Sequence, residues 1–256
     1  ENLIIDRVID GVFRNKDAEV LGGLNQIQNL SINTTSESKD KTDAQGVLIK
    51  RFFTSKNVEI SGTSALPSLS LMALINGTKK DVASAEATLL LPSIEKYAAS
   101  ASPIEVKYTP VGTVSVCGLT ASGVPDPTLN YELADEAGAG KFAISGKTIT
   151  LPTDAADHVQ ITYRYNAESA VAVTDKSTGF PKTCEMLVKV LVCEACDKEN
   201  MRLAYISFPA YQMSPDMDWT VDTESGLGFS GSAQVDYCGG EQALFTVSVS
   251  EDDIEE

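Results

Sequence analysis

Residues 203–249 read LAYISFPAYQMSPDMDWTVDTESGLGFSGSAQVDYCGGEQALFTVSV and carry the chain's clearest structural pattern. Apolar and polar side chains alternate along this stretch, and glycines interrupt the alternation. A period of two with glycine-marked breaks is typical of successive antiparallel strands that have one apolar and one polar face. The pattern predicts about four strands and no helix. It places Trp219 in the core with Met217 and Val221, and it contains no obvious catalytic group.

The composition limits what the chain can bind. It has 256 residues, 43% of them hydrophobic, with a formal net charge of −16 and a pI of about 4.4. This length suits one large or two ordinary domains with a real core. Nucleic-acid phosphates and anionic membrane surfaces attract Lys and Arg, so the acidic balance argues against both as binding partners. No apolar run is long enough to span a bilayer, so we expect no membrane anchor.

Five cysteines are present, an odd number in a chain too large to depend on disulfides, which favours a reducing compartment. The first residues lack the basic and apolar pattern of a signal peptide. Cys193 and Cys196 form a C-x-x-C pair, which could bind zinc with two of Cys117, Cys184 and Cys238 or act in redox chemistry. Ordinary thiols are the better interpretation, because there is no second close pair and no thioredoxin-like helix follows.

The first part of the chain predicts two long strands around a polar loop. Residues 24–34 predict a strand with a bulge near Asn29, where the apolar positions change face. Residues 34–46 contain no apolar residue before Ala44, which predicts a long flexible loop. Loops of this length are usually functional or disordered. Apolar residues return from Val47 onwards and predict the second strand.

Residues 61–77 give the best helix prediction in the chain. Thr63 or Ser64 is the expected N-cap, Pro67 suits the first turn, and Asn76-Gly77 offers a left-handed stop. The helix is apolar almost all round, so we expect it to be buried between layers or at a subunit contact. Ordinary core packing is the simpler of these two interpretations.

The middle of the chain predicts a second β region. Residues 78–102 are interpreted as a connection that is partly helical. From residue 103 onwards, short strands with dense turn signals predict a small immunoglobulin-like sandwich. The predicted plan is a mainly β, tail-tube-like sandwich or barrel with one short buried helix, in two pieces (1–102 and 184–256), with an inserted immunoglobulin-like module (103–183).

Other chemical sites find little support. His158 is the only histidine, and a lone histidine at a strand edge does not favour a catalytic triad. Four carboxylates lack the alternating spacing of a calcium loop, so solvated turns are the better interpretation: Asp126, Asp135, Glu136 and Asp154. No phosphate-binding loop sequence occurs, and paired carboxylates for glycoside hydrolysis leave no sequence signature. We expect no catalytic residues, no metal and no cofactor.

The order of these elements resembles the major tail protein, or tail tube protein, of long-tailed bacteriophages. The matching features are, in chain order, a polar loop between two long strands (34–46), a short apolar helix (63–75), a late strand block (203–249), and Gly231, Asp236, Tyr237 and Phe245 within that block. The resemblance covers the two outer pieces. Inserted immunoglobulin-like modules are common in that family.

The resemblance implies a structural virion protein and not an enzyme. It would form six-fold rings whose inner sheets join into a continuous β-barrel, and the rings would stack into a tail tube that conducts DNA during genome ejection. Other tail proteins would bind the tube ends, DNA would pass without specific binding, and the protein would be made in the host bacterial cytoplasm. The alternative is a β-sandwich binding or decoration protein of a virion or cell surface.

Two sets of residues are candidates for these roles. A polyanion slides past an acidic wall because attractive phosphate contacts are missing, and no Lys or Arg occurs between Ile206 and Val249. The candidate lumen-facing acidic residues are Asp216, Asp218, Asp222 and Asp236, and a solvated outer face is the alternative. The resemblance implies that the polar loop reaches the adjacent ring, so the candidate inter-ring residues are Ser36, Glu37, Lys39, Asp40, Lys41 and Asp43.

Overall fold

The computed structural model of the protein describes residues 2–222, 226–236 and 242–253. Within these ranges the protein is mainly β with one short helix, as the sequence predicts. The chain divides into two compact units, which are described separately. The first unit comprises residues 1–80 and 173–256, and the second comprises residues 81–172.

The strands and the helix follow one another in a simple order. They are β1 (Leu3–Arg14), β2 (Val20–Asn25), β3 (Ile27–Thr42), β4 (Leu48–Ser64), α1 (Leu69–Ile75), β5 (Asp81–Val82), β6 (Leu89–Ala98), β7 (Ile104–Glu105), β8 (Val111–Leu119), β9 (Pro125–Leu133), β10 (Lys141–Ser145), β11 (Thr148–Thr150), β12 (His158–Ala167), β13 (Val171–Ala172), β14 (Cys184–Glu194), β15 (Asp197–Met213), β16 (Asp218–Trp219), β17 (Leu227–Ala233) and β18 (Thr246–Asp253).

The first unit is built on one large sheet that is nearly closed and barrel-like. Its main path runs β2-β1-β14-β15-β17-β4-β3, with β16 joined to β17 and β18 joined to β15. The strand block predicted at residues 203–249 is confirmed, since β15 to β18 supply its strands and the described part of this block contains no helix.

Alternation along these strands places one face in the core of the first unit. Met186, Val188 and Val190 on β14 are buried, and Ile206 and Phe208 on the neighbouring β15 are buried beside them. Burying a large aliphatic or aromatic side chain stabilises a fold by about 1.5–3 kcal/mol. The period-two pattern in the sequence therefore corresponds to burial of alternate side chains on these strands.

The predicted bulge in the first long strand is confirmed. Asn29 has a φ of 53°, and the register between β3 and β4 shifts between Gln28 and Ser31. An extra residue on one strand of an antiparallel pair lets the apolar positions change face. The shift of apolar positions in the sequence has this physical cause.

Helix α1 is buried as predicted, but it is shorter than residues 61–77. Ser64, one of the two predicted caps, instead continues β4 and pairs with Leu227. The actual N-cap is Ser68, whose Oγ accepts a hydrogen bond from the Ser70 N–H at 3.2 Å. Gly77 has a φ of 61°, so the predicted left-handed stop is confirmed. The helix does not start at Ser64 because the backbone hydrogen-bonding groups there are already paired within the sheet.

The second unit contains a seven-stranded sheet with the order β6-β12-β8-β9-β10-β11-β7, and β5 pairs separately with β13. The predicted connection at residues 78–102 is wrong, because Leu89–Ala98 is a strand that pairs with β12 along its whole length. Its half-buried face carries Ser93 and Glu95, so the apolar alternation that marks a strand is weak. The second compact unit includes this strand and starts at residue 81, whereas the bounds 103–183 of the inserted module stay a prediction.

Glu95 is the polar centre of that half-buried face. Its Oε1 accepts hydrogen bonds from the Tyr163 hydroxyl at 2.6 Å and the Ser93 hydroxyl at 2.8 Å. Its Oε2 accepts from the Tyr97 hydroxyl and from the Lys107 N–H. Burial raises the pKa of Glu95, but these four hydrogen bonds outweigh it and hold that pKa below its ordinary value.

We expect Glu95→Gln to destabilise the second unit at neutral pH and to weaken its sensitivity to acid. Because the folded pKa is lowered, the carboxylate contributes stability above the ordinary carboxyl pKa, and this contribution is lost as pH falls through the lowered value. Thermal unfolding from about pH 7 to pH 3, followed by near-ultraviolet circular dichroism, should show the difference from wild type shrinking. Glu132→Gln on β9 is the exposed control. A difference that stays constant with pH would contradict this role.

Candidate assembly surfaces

Strands β3 and β4 extend beyond the core as a long hairpin, which we call the arm (residues 33–57). The arm strands are almost entirely exposed, and β4 enters the core only at Val58. The predicted flexible loop at residues 34–46 is therefore wrong in form, because only residues 43–47 turn. The arm carries all six candidate inter-ring residues on its strands and turn: Ser36, Glu37, Lys39, Asp40, Lys41 and Asp43. Their contact with an adjacent ring stays a prediction.

Cross-strand contacts hold the arm in shape without a core. Arg51 donates two hydrogen bonds to its register partner Asp40, from Nε at 2.7 Å and from Nη2 at 2.9 Å, and this holds the pKa of Asp40 below its ordinary value. At the turn, the Asp43 carboxylate accepts the N–H groups of Gln45 and Val47. This part of β3 is difficult to predict from sequence because neither of its faces packs on a core. No alternation of apolar and polar residues is therefore required.

The two faces of the arm differ in charge. Lys41 lies opposite Lys50, and Lys39 lies opposite Phe52, so these four residues share one surface, which we call the lysine face. Glu37 lies at its base. Like charges that are directly opposite each other on paired strands repel. None of the three lysines makes an ion pair with any residue in the described ranges. The other face of the arm holds the neutralised Asp40–Arg51 pair.

The connection between β15 and β17 is exposed along residues 215–222, which we call the acidic segment. The predicted core position of Trp219 is wrong, because its exposed fraction is 44%, with Met217 at 39% and Val221 at 75%. Only Asp218 and Trp219 pair with β17, at its end. Apolar and polar residues alternate in this two-residue strand at the sheet margin, but no second layer covers it. The alternation therefore predicts burial of Trp219 wrongly.

The candidate lumen residues lie in two places. Asp216, Asp218 and Asp222 belong to the acidic segment, and Asp216 accepts a hydrogen bond from the Ser214 hydroxyl at 2.8 Å. Asp236 lies beyond β17, where it is half-buried and lines a surface cleft with Glu185. Three of the four therefore lie in one exposed segment, and their exposure to a lumen stays a prediction.

Among the strands of the first unit that leave a backbone edge uncovered within the described ranges are β1 and β18. β14 pairs with β1 from Leu3 to Arg14, whereas β2 covers the other edge of β1 only from Asp10 onwards. β18 pairs with β15 along one edge. Strands β1, β14, β15 and β18 thus form an antiparallel run with a free edge at each end, where Ile5 is 65% exposed and Val247 is 51% exposed. An uncovered strand edge is a template for pairing with another chain.

The face of this run that points away from the core carries both charge signs and also includes leucine side chains. One cross-strand row passes through Asp10, Lys189, Tyr205 and Ser248. Tyr205 is exposed, whereas alternate residues such as Ile206 face the core. This surface is separate in sequence from the acidic segment, and the sequence pattern did not single it out.

The thiols are spread over different environments. Cys193 is buried and Cys196 is exposed at the turn between β14 and β15, and Cys238 lies outside the described residues. Burial raises the pKa of Cys184 to about 11, so this thiol stays protonated at neutral pH. Cys117 belongs to the second unit. Among the described residues, no three His, Cys, Asp or Glu side chains come together in a way that could hold a metal ion.

The remaining candidate polar residues lie at turns and strand ends of the second unit. His158 is exposed at the start of β12. Asp126 accepts hydrogen bonds from the N–H and the hydroxyl of Thr128, and Asp154 accepts the Gly140 N–H at 2.6 Å. Their oxygens thus stabilise turns. In the part of the chain that the structure describes, no helix has the length and apolar character needed to cross a membrane.

Comparison with known proteins identifies a family whose sequence model matches most of the chain. The sequence model of the YomU/Tube protein family matches residues 4–236, a range that includes the whole second unit and most of the first. No curated protein matches the chain. The name of the family indicates a phage tube protein, which is a structural component of the virion tail and not typically an enzyme.

Proposed function

Since the chain belongs to the YomU/Tube protein family, we propose that it is the major tail tube protein of a long-tailed bacteriophage. Six copies form a ring, the rings stack into a tube, and the tube conducts DNA during ejection. Other tail proteins bind the tube ends. The observation that carries this proposal is the pair of free strand edges on β1 and β18.

The strand directions of the run support ring closure. β1, β14, β15 and β18 are each antiparallel to the next, so β18 of one copy can meet β1 of the next copy in the same antiparallel sense. Each copy contributes four strands to the ring, and closure into a barrel covers every free edge of the run. The exposed apolar residues Ile5 and Val247 become buried at the same step.

The lumen follows from which face of the run is packed. The core already covers one face, so the face with Asp10, Lys189 and Tyr205 is the one left to line the channel. Opposite charges at neighbouring positions, together with hydroxyl groups, offer a polyanion little net attraction. The overall charge of −16 opposes DNA binding in addition.

The second unit is proposed to be an inserted, immunoglobulin-like module. Its first and last strands pair with each other, with Asp81 opposite Ala172 and Val82 opposite Val171. A chain that leaves and returns at one place is what an insertion into a loop requires. Its seven-stranded sheet supplies an independent core around Val116, Ile161 and Tyr163.

We expect purified protein to form rings or tubes in negative-stain electron microscopy, and Ile5→Lys to weaken their assembly. A lysine at this free edge blocks strand pairing and places a charge at every interface of a ring. The expected rise in the protein concentration needed for assembly is at least about tenfold, or about 1.4 kcal/mol per contact.

The matched control for this edge is Val124→Lys in the second unit, which changes an exposed valine without touching the run. Light scattering coupled to size exclusion measures the mass of each variant, and circular dichroism checks the fold. A wild-type protein that stays a dispersed monomer at high concentration would contradict the proposal and favour a decoration or binding role.

A further inference from the structure

The arm and the acidic segment lie at opposite ends of β4. The arm end of β4 is Leu48, and its other end, Ser64, pairs with Leu227, which in turn pairs with Trp219. A strand of this length spans about 50 Å at roughly 3.3 Å per residue. The arm tip of one molecule therefore points away from its own acidic segment, and any meeting of these two surfaces is between different copies.

The two surfaces are complementary in charge. Lys39, Lys41 and Lys50 repel one another on the lysine face, and a carboxylate partner would relieve that repulsion. Asp216 and Asp218 are exposed on the acidic segment. Residues 203–256 contain no Lys or Arg, so this end of the chain offers no competing cation of its own in sequence.

The two surfaces are also complementary in apolar content. Phe52 on the lysine face is 45% exposed, and Lys50 Nζ lies 4.9 Å from its ring centroid. On the acidic segment, Trp219 is 44% exposed and Val221 is 75% exposed. A tryptophan face attracts lysine ammonium groups and packs against other aromatic rings. Both surfaces keep this apolar area exposed within the described residues of one copy.

We propose that the acidic segment is the receptor for the lysine face of the arm of a second copy in the next ring. This inference rests on the proposed tube function and names the two surfaces that join its rings. Because the surfaces differ and lie at opposite ends of β4, the contact is head-to-tail, and head-to-tail contacts extend without limit when they do not close. The aspartates then act at the ring junction and not on the channel wall.

The test uses two charge-reversed variants of the full chain. The arm variant carries Lys39→Glu, Lys41→Glu and Lys50→Glu, and the receptor variant carries Asp216→Lys and Asp218→Lys. In each variant alone, like charges face each other at every junction. In an equal mixture, each arm meets a receptor of the opposite sign, so alternating stacks can grow. Turbidity and negative-stain microscopy measure tube mass in each sample.

We expect each variant alone to form rings but to need at least about tenfold more protein for tubes, and the mixture to restore tubes close to wild-type level. The control carries Lys96→Glu, Lys141→Glu and Lys147→Glu in the second unit, which gives the same charge change as the arm variant and should form tubes normally. Tubes from either variant alone, or failure of the mixture to grow, would overturn the pairing.

Three other outcomes distinguish this inference from a lumen role for the aspartates, from DNA binding by the lysine face and from failure of the tube proposal itself. If the receptor variant forms normal tubes but DNA passage slows, the aspartates line the lumen and the inference is overturned. If the arm variant alone loses binding to duplex DNA in a gel-shift assay while tube growth is normal, the lysine face serves DNA and the inference is again overturned. If the wild type forms no rings, the tube proposal fails, and native mass spectrometry of the mixture still decides whether the variants form mixed pairs.

Discussion

Removal of the arm is expected to stop tube growth while leaving the fold of the first unit intact. The shortened chain lacks residues 36–56 and joins Thr35 to Asn57 through an Asn-Gly turn. Thr35 and Asn57 are register partners, so a two-residue hairpin turn fits between them. The core residues Val58 and Ile60 are not changed. Rings should persist, because the free edges of β1 and β18 lie elsewhere in the sheet.

We expect the concentration at which half of the shortened protein forms tubes to rise by more than about tenfold, which corresponds to a loss of more than about 1.4 kcal/mol per junction. The control exchanges Ala44 and Gln45 for Asn and Gly, which alters the turn but keeps both arm strands. Sedimentation gives tube mass, microscopy distinguishes rings from tubes, and circular dichroism reports the fold. Normal tubes from the shortened chain would show that the arm is not required for tube assembly.

Gly77→Ala is expected to produce the largest loss of stability from a single methyl group. Gly77 has a φ of 61°, a conformation that costs other residues about 1–2 kcal/mol. A Cβ at this position would also lie 2.2 Å from the Phe180 carbonyl oxygen and 2.3 Å from its carbonyl carbon. Backbone atoms cannot rotate away, so the segment after α1 must shift. Together these effects should cost about 3 kcal/mol.

Calorimetry of the intact chain measures this effect, with an expected fall in the Tm of the first unit of roughly 6–12 °C. Gly23→Ala is the matched control in the same unit, because a Cβ there would meet only the Gly11 carbonyl oxygen, at 3.7 Å. The control should change Tm by about a degree or less. Equal behaviour of the two variants would show that the close approach of residues 77 and 180 is not a constraint on the fold.

The parts of the fold that sequence reasoning predicts well are those packed on a core. β14 and β15 alternate in letters because Val188 and Ile206 are buried and their neighbours are not. The left-handed stop at Gly77 was predictable because few residues other than glycine adopt that conformation without strain. In both places a local constraint, burial in the first and a left-handed backbone in the second, restricts which residue types can occur.

The errors occur where strands are supported by something other than an apolar core. The arm strand β3 depends on cross-strand pairs such as Asp40–Arg51, which resemble a polar loop in sequence. Strand β6 turns Glu95 inward into a hydrogen-bonded network, so its alternation is not apolar. Trp219 occupies an apolar position in an alternating pattern, as a core residue would, but it lies exposed at the sheet margin.

The candidate site was only partly predictable. The arm residues and the aspartates stand out in sequence, because a polar run and an absence of Lys and Arg are visible in the letters. The free edges of β1 and β18 are not visible, since they depend on the order of strands in the sheet. The lysine face also requires the register that sets Lys41 opposite Lys50.

The most direct test of the central claim is a cryo-electron microscopy reconstruction of the assembled protein at a resolution that separates strands. It should show β18 of each copy hydrogen-bonded antiparallel to β1 of its neighbour, with Tyr205 and Lys189 facing the channel. A reconstruction in which residues 3–9 and 246–253 stay unpaired, or in which neighbouring copies meet through other strands, would contradict the account.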